Sequence, residues 1–219
     1  NIAFIQEWTE FSKSLNINLF PIIEAIKIRP THRNIMQPGL GVGGYCLTKD
    51  PTFGKISMDF FFKGKITNNF NFSTNAVECN NSMPNFTLKC ILEKVKKLNK
   101  KKILFFGITY KSDVEDTRYS PSTYLANRLK RLGAKIFFND DLSKEWTEVK
   151  GSKEYNSSNT SKFDIIIFNL KTLRSRKINF LRLKNFNGLI VDVSNSLSDI
   201  QKKQIKKNKL RHVFIGNFA

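Results

Sequence analysis

The sequence predicts an α/β protein made of two unlike parts: a mainly helical region over 1–98, then a parallel-sheet domain over 99–219. Three observations carry this. Apolar residues in the first part recur at helical spacing. Composition breaks at Asn99-Lys100-Lys101-Lys102. Beyond that break, short and mainly apolar runs alternate with a helical stripe, the pattern of strand–helix–strand units in a parallel sheet covered on both faces. At 219 residues and 40% hydrophobic, the chain can bury a sizeable core, so disorder is not expected.

Phe4, Trp8, Phe11 and Leu15 recur at i, i+4, i+7 and i+11 and predict an opening amphipathic helix. A chain that starts at Asn1 inside such a pattern is expected to lack an N-terminal part. Pro21, followed by IIEAI, suits the first position of a second helix. A Gly- and Pro-rich loop runs from Pro30 to Pro51. Residues 52–74 mix aromatics with turn formers and predict no single element. A helical pattern resumes near Asn75, with Pro84 interrupting or restarting it; Phe86, Cys90, Ile91, Val95 and Leu98 form its apolar face. Cys79 and Cys90 on this stretch are expected to be core thiols.

In the second part, Ile103–Gly107, Ala134–Phe138, Asp164–Phe168 and Leu189–Val193 predict buried strands, with Val213–Ile215 a further candidate. Ser120-Pro121 reads as an N-cap followed by a first-turn proline. Leu125, Leu129 and Leu132 supply that helix's buried stripe, and Gly133 ends it. Residues 151–161 predict an exposed loop.

Charge is the loudest compositional feature: Lys+Arg 37 against Asp+Glu 18 gives +19. A polyanion partner would explain it. So would a bias toward AT-rich codons, which raises Lys, Asn, Ile and Phe together; the chain holds 23 Asn and 20 Phe. The basic residues are scattered, and the densest run, Lys202–Arg211, has no aromatic interleaved, so no nucleic-acid partner is expected. Three cysteines without zinc-like spacing argue against a disulfide scaffold or a metal site, and fit a reducing cytoplasm. No apolar run is long enough to cross a bilayer, and no membrane partner is expected.

Residues 38–51 read PGLGVGGYCLTKDP. Gly39, Gly41 and Gly44 match G-x-G-x-x-G literally. The dinucleotide fingerprint is rejected, because it must follow a strand and open a helix, and here prolines flank it. What remains is a loop whose missing side chains let backbone N–H groups approach a ligand. Cys46 follows it, with Lys49 and Asp50 close behind. A thiol beside amides and a cation can ionise and act as a nucleophile, and a nearby carboxylate can orient a water.

These residues resemble the catalytic-cysteine motif of the nucleotide-sugar 6-dehydrogenases, the UDP-glucose/GDP-mannose dehydrogenase superfamily. Three further segments agree in order: Asn1–Glu7 (NIAFIQE), Ala76–Pro84 (AVECNNSMP) and Ile103–Pro121 (ILFFGITYKSDVEDTRYSP). The tyrosine form, GVGGYC, is more similar to the UDP-N-acetylhexosamine branch (UDP-ManNAc, UDP-GlcNAc) than to the UDP-glucose or GDP-mannose branches. The resemblance implies a helical central dimerisation region over 1–98 with the cysteine loop, then a Rossmann-like UDP-sugar-binding domain over 99–219, and an N-terminal NAD-binding domain that this chain lacks.

It also implies the chemistry. The sugar C6 alcohol is oxidised to a carboxylate by two hydride transfers to NAD, through a thiohemiacetal and then a thioester on Cys46. Asp50 positions the hydrolytic water and Lys49 adds positive charge. Gly41, Gly43, Gly44 and Tyr45 line the sugar; Tyr110 and Lys111 contact the UDP-sugar. Arg33, with Arg29 as a rival, reaches a neighbouring subunit's substrate, and Arg118 lies near the cofactor pyrophosphate. The implied partners are a UDP-sugar and a second copy of the chain, as a homodimer or larger; no metal is implied. Departures stand beside these matches. The general-base lysine and its companion asparagine would lie upstream of Asn1. Tyr119 replaces a glutamate, Asp141 replaces a proline, Val193-Ser194-Asn195 lacks the arginine usual after Asp192, and residues 142–188 match weakly. A diverged, non-catalytic binding subunit and a UDP-glucose 6-dehydrogenase are the alternatives.

Overall fold

The computed structural model describes residues 1–63, 69–157 and 159–219. Part of the unassigned stretch 52–74 and one residue of the 151–161 loop therefore lie outside the described residues. The first helix, α1 (Ile2–Ser14), buries Ile5, Gln6, Thr9 and Ser12. The hydroxyls on that face are satisfied locally, Thr9 Oγ1 donating to the Ile5 carbonyl at 2.6 Å and Ser12 Oγ to the Thr9 carbonyl at 2.8 Å. Small, self-satisfied side chains let another helix come close. The apolar stripe faces the other way: Phe4, Trp8, Phe11 and Leu15 are between 44% and 55% exposed.

Helix α2 (Leu19–Lys27) starts two residues before Pro21, because Asn18 caps it by accepting the Phe20 N–H. The loop that follows carries a 3₁₀ turn at Pro30–His32. Asp50–Thr52 forms another, leading into α3 (Phe53–Ser57) and a π-helical turn at Met58–Phe62. Helix α4 spans Asn71–Lys94 without a break, so Pro84 neither interrupts nor restarts it. Proline has no N–H for the carbonyl four residues back, here Asn80. The helix absorbs that loss because Met83, Pro84, Phe86, Cys90 and Ile91 are all buried. Cys79 is only half-buried, its thiol donating to the Ala3 carbonyl of α1 at 3.4 Å, whereas Cys90 is a core thiol. Burial pushes the Cys90 pKa up to about 11.

The second part forms a six-stranded, wholly parallel sheet: β1 (Lys102–Phe106), β2 (Lys135–Asn139), β3 (Lys153–Glu154), β4 (Ile165–Phe168), β5 (Leu189–Asp192) and β6 (His212–Phe214). The spatial order is β3-β2-β1-β4-β5-β6. This is the doubly wound order of the Rossmann fold, with its switch point between β1 and β4. Alternate residues fill two cores. Ile103, Phe105, Ile136, Phe138, Ile165 and Ile167 join Met83 and Ile91 of α4 and Leu125 and Leu129 of α5 (Pro121–Arg131). Leu104, Phe106, Ile166, Phe168 and Ile190 face the other way, toward Phe180 and Ile205. Burial on both faces is why the strands read as continuous apolar runs.

Two further local expectations need correction. Leu132 is exposed, since α5 ends at Arg131 and Gly133 turns the chain at φ +89°. Residues 151–161 are not simply an exposed loop: Lys153 and Glu154 form the edge strand, and Tyr155 and Thr160 are buried. Short helices complete the sheet's other layer, α6 (Leu173–Arg176) and α7 (Asp199–Lys207), both with capping boxes. No helix among the described residues is long and apolar enough to cross a membrane.

Candidate functional site

The cysteine loop is built onto the protein at both ends. Leu40 is buried in the sheet's first core. At the next turn the Asn80 side chain clasps the loop backbone: its Oδ1 accepts the Val42 N–H at 2.7 Å and its Nδ2 donates to the Val42 carbonyl at 3.0 Å. Gly41, at φ +112°, lets the chain pass so near that a Cβ there would lie 3.0 Å from the Asn80 carbonyl oxygen. That is the carbonyl which Pro84 leaves without a helical donor.

Gly43 and Gly44 then run under the turn that joins β1 to α5. A Cβ on Gly43 would lie 2.6 Å from the Tyr119 carbonyl and 2.8 Å from Pro121 and Tyr110. One on Gly44 would lie 2.9 Å from the Tyr110 ring. The protein's own packing already requires both glycines. Tyr119 sits at φ 54°, and its ring meets Tyr45 edge-on at 5.5 Å.

Cys46 stands exposed beyond this contact. Its carbonyl accepts the N–H groups of Lys49 (3.1 Å) and Asp50 (2.9 Å), and Thr48 Oγ1 donates to the Gly44 carbonyl at 2.8 Å. This turn folds Lys49 and Asp50 back beside the cysteine. Lys49 Nζ bonds Asp50 Oδ1 at 2.5 Å and lies 4.8 Å and 4.6 Å from the ring centroids of Tyr45 and Phe53. The Lys49 pKa is raised, first by its hydrogen bond to Asp50 and further by the charge of that carboxylate.

Tyr110 meets the glycine loop directly. Lys111 and Arg118 occupy the same β1–α5 turn but are engaged with neighbouring carboxylates. Lys111 pairs with Asp113 at 3.2 Å, and Arg118 takes both oxygens of Asp116 through Nε and Nη2. The Arg118 hydrogen bonds hold the Asp116 carboxyl below its ordinary range. Arg33 follows the Pro30–His32 turn, exposed, and no hydrogen bond or ion pair among the described residues ties it to the cysteine loop. Asn80 is the residue the sequence reading missed. Its one signal was Pro84 four residues on, inside a helical pattern.

Beyond β5, Asp192 is 1% exposed and turned inward. It accepts the N–H groups of Ser196 (2.8 Å) and Leu197 (3.2 Å) and lies 3.5 Å from Lys202 Nζ. Lys202 also bonds Asn195 and lies over the rings of Phe20 and Phe214. The cation nearest the position where an arginine is missing is thus folded into the protein. Gly39 is backed by Val193 and Ser194 of this same segment.

A dinucleotide does not fit the residues present. In a Rossmann turn, the backbone N–H groups after the first strand meet a pyrophosphate. Here Asp140 takes that place: its Oδ2 accepts the N–H of Ile108 at 2.8 Å and of Thr109 at 3.4 Å. No cluster of three or more His, Cys, Asp or Glu among the described residues could hold a metal.

Sheet order and site together define a Rossmann-type protein that presents a free thiol, on a clamped glycine loop, over the turn after its first strand. The chain belongs to the UDP-glucose/GDP-mannose dehydrogenase family. The central-domain model of that family matches residues 1–57, its UDP-binding-domain model matches residues 104–199, and together they take in more than half of the chain. A UDP-N-acetyl-D-mannosamine dehydrogenase of Methanococcus vannielii is 32% identical over 100% of this chain and 49% of its own length. The Staphylococcus aureus UDP-N-acetyl-mannosamine dehydrogenase Cap5O superposes with a TM-score of 0.68 at 25% identity, over 100% of this chain and 47% of that one. A Pyrobaculum islandicum UDP-glucose dehydrogenase shares the fold, with a TM-score of 0.78 at 16% identity over 100% and 48%. The chain spans about half the length of the curated relatives it matches.

Proposed function

We propose that this chain supplies the central and UDP-sugar-binding parts of a UDP-N-acetylhexosamine 6-dehydrogenase, in which Cys46 is the covalent nucleophile. The observation that supports this most is the exposed Cys46, backed by the Lys49–Asp50 pair, on a loop clasped by Asn80 and packed on Tyr110. NAD, bound by residues other than these, is the group that takes up hydride in such a reaction. The work of this chain is to hold the sugar and carry the carbon between oxidations. The Cys46 thiolate adds to the C6 aldehyde, forming a C–S bond, and the carbonyl oxygen takes a proton. Once that carbon has lost its hydrogen as hydride and the hydroxyl has given up its proton, it is a thioester. Water then attacks, the C–S bond breaks, and the thiolate leaves as the carboxylate forms. Asp50 orients the water. Lys49 keeps positive charge beside the thiolate and the oxyanion. Tyr45, Tyr110 and Lys111 face the nucleotide sugar, with Gly41, Gly43 and Gly44 shaping the loop beneath it; Arg33 acts from the neighbouring subunit and Arg118 toward the cofactor.

The test uses the longest reading frame that encodes this chain, supplied with NAD and a panel of UDP-sugars. Two NADH per UDP-N-acetylhexosamine, and a preferred epimer, are expected. A second reading, a diverged binding subunit, is favoured by the inward-turned Lys202 and the missing arginine after Asp192. A folded, NAD-binding protein that yields no NADH with any sugar would establish that reading instead. Two NADH with UDP-glucose alone would move the assignment to the UDP-glucose branch.

The same proposal includes a homodimer through α1. Phe4, Trp8 and Phe11 form an exposed aromatic run, with ring centroids 5.9 Å and 6.0 Å apart. An apolar stripe of this kind along a helix is suited to a self-complementary contact. Trp8→Glu should weaken self-association by about 30-fold or more, the loss of an anchor worth about 2 kcal/mol. Sedimentation across a concentration series reads this. An unchanged mass would remove α1 from the interface.

A further inference from the structure

The sheet has a second concave feature at its carboxyl edge, built from none of the residues of the Cys46 loop or the β1–α5 turn. It is a cavity of about 630 Å³ between the end of β2 and the segment around α6. That volume lies in the range of small-molecule sites, and carboxyl edges of doubly wound sheets are where ligands bind.

Four cations line it: Lys144, Arg174, Lys177 and Arg182. Two acids line it as well, but both are engaged. Asp140 receives four backbone N–H groups, from Ile108 and Thr109 on one oxygen and from Leu142 and Ser143 on the other. Asp141, which replaces a proline of the family pattern, accepts the Leu173 N–H at 2.7 Å. The cations are poorly matched in return. Lys144 has only a 3.6 Å pairing with Glu154, and Arg174 reaches the Asn156 carbonyl. The side chains of Lys177 and Arg182 have no hydrogen bond or ion pair among the described residues. Four cations against these two acids leave the cavity lining with a net positive charge.

The end of β2 is also where a nucleoside's ribose would be met in a dinucleotide site. That role is closed here. Asn139 spends its amide on the Tyr155 carbonyl (3.3 Å) and Asn156 Oδ1 (3.2 Å), and its carbonyl oxygen accepts from Thr172 at 3.3 Å. The charge calls for an anion, and the neighbouring polar groups do not read a sugar.

We propose that this cavity binds a small phosphorylated ligand, its phosphate or diphosphate held by Arg174, Lys177 and Arg182. This site is independent of the dehydrogenase reading and is tested on the chain without a sugar substrate. Inorganic pyrophosphate and inorganic phosphate are titrated by calorimetry at about 0.15 M salt, where long-range attraction to a basic surface is screened. Saturable binding of one equivalent is expected, weakened at least about 10-fold in Lys177→Ala and in Arg182→Gln and unchanged in Lys97→Ala and Lys203→Ala, two exposed lysines outside the cavity. Both cavity positions are exposed, so the variants are expected to keep the wild-type circular dichroism. Loss of binding in Lys111→Ala instead would place the anion at the β1–α5 turn and overturn the proposal. Equal losses in the Lys97 and Lys203 variants would mean non-specific attraction to the +19 chain, and no saturable binding would remove the site altogether.

Discussion

Replacing Cys46 by serine is expected to abolish carboxylate formation while leaving the fold unchanged. The side chain is exposed and packs into no buried cluster, so its loss should change stability by no more than about 0.5 kcal/mol. The chemical consequence is far larger. A serine hydroxyl in a loop without an adjacent imidazole stays protonated and adds poorly to an aldehyde, whereas a cysteine has an accessible thiolate. Removing a covalent nucleophile costs on the order of 10³-fold or more in turnover. In the longest reading frame encoding this chain, Cys46→Ser should produce no more than one NADH per UDP-N-acetylhexosamine. Mass spectrometry should find no sugar bound to the protein. Near-wild-type production of the carboxylate by this variant would refute covalent catalysis at Cys46, whatever the sugar.

The second large effect is expected at Gly43. An alanine methyl there would meet the Tyr119 carbonyl at 2.6 Å and both Pro121 and Tyr110 at 2.8 Å. Two of these three are backbone or ring atoms fixed at the start of α5, so they cannot swing aside. Gly43→Ala should destabilise the protein by about 1–3 kcal/mol through overpacking. It should also lift the cysteine loop from the β1–α5 turn, raising KM for the UDP-sugar as well as lowering kcat. Gly39→Ala is the internal control: a methyl there would find its nearest atoms at 3.7 Å and 3.8 Å, an ordinary contact. Denaturant unfolding of the two variants separates the outcomes. Equal stability of both would show that the loop does not pack on Tyr110 and Tyr119 as described.

The sheet was legible in the sequence because five of its six strands are largely buried, which leaves short, mainly apolar runs. The sixth, Lys153–Glu154, was not, since a two-residue edge strand with both side chains exposed has no apolar residue to announce it. The opening helix was legible as a helix, yet periodicity says only that one side is apolar. It does not say whether the chain itself covers that side, and here α4 takes the small, polar side of α1 instead. The continuity of α4 through Pro84 was also hidden, because a missing hydrogen bond is tolerated only where burial of the surrounding turns makes up for it. In the site, the thiol and its Lys49–Asp50 neighbours could be read because they are close in sequence. Asn80 could not, because its contact with Val42 spans 38 residues and exists only once α4 is formed.

The Asn80–Val42 clasp has a mechanical consequence. Helix α4 touches three things at once: the sheet core through Ile91, helix α1 through its own N-terminal half, and the thiol loop through a single amide group. The loop has no comparably paired backbone anchor of its own between Leu40 and Gly44. A small roll of α4 about its axis would therefore carry Val42 with it and re-aim Cys46, much as a key turned in a lock moves the bolt. The position of the Cys46 sulfur is thus tied to a helix that also packs against α1 and the sheet.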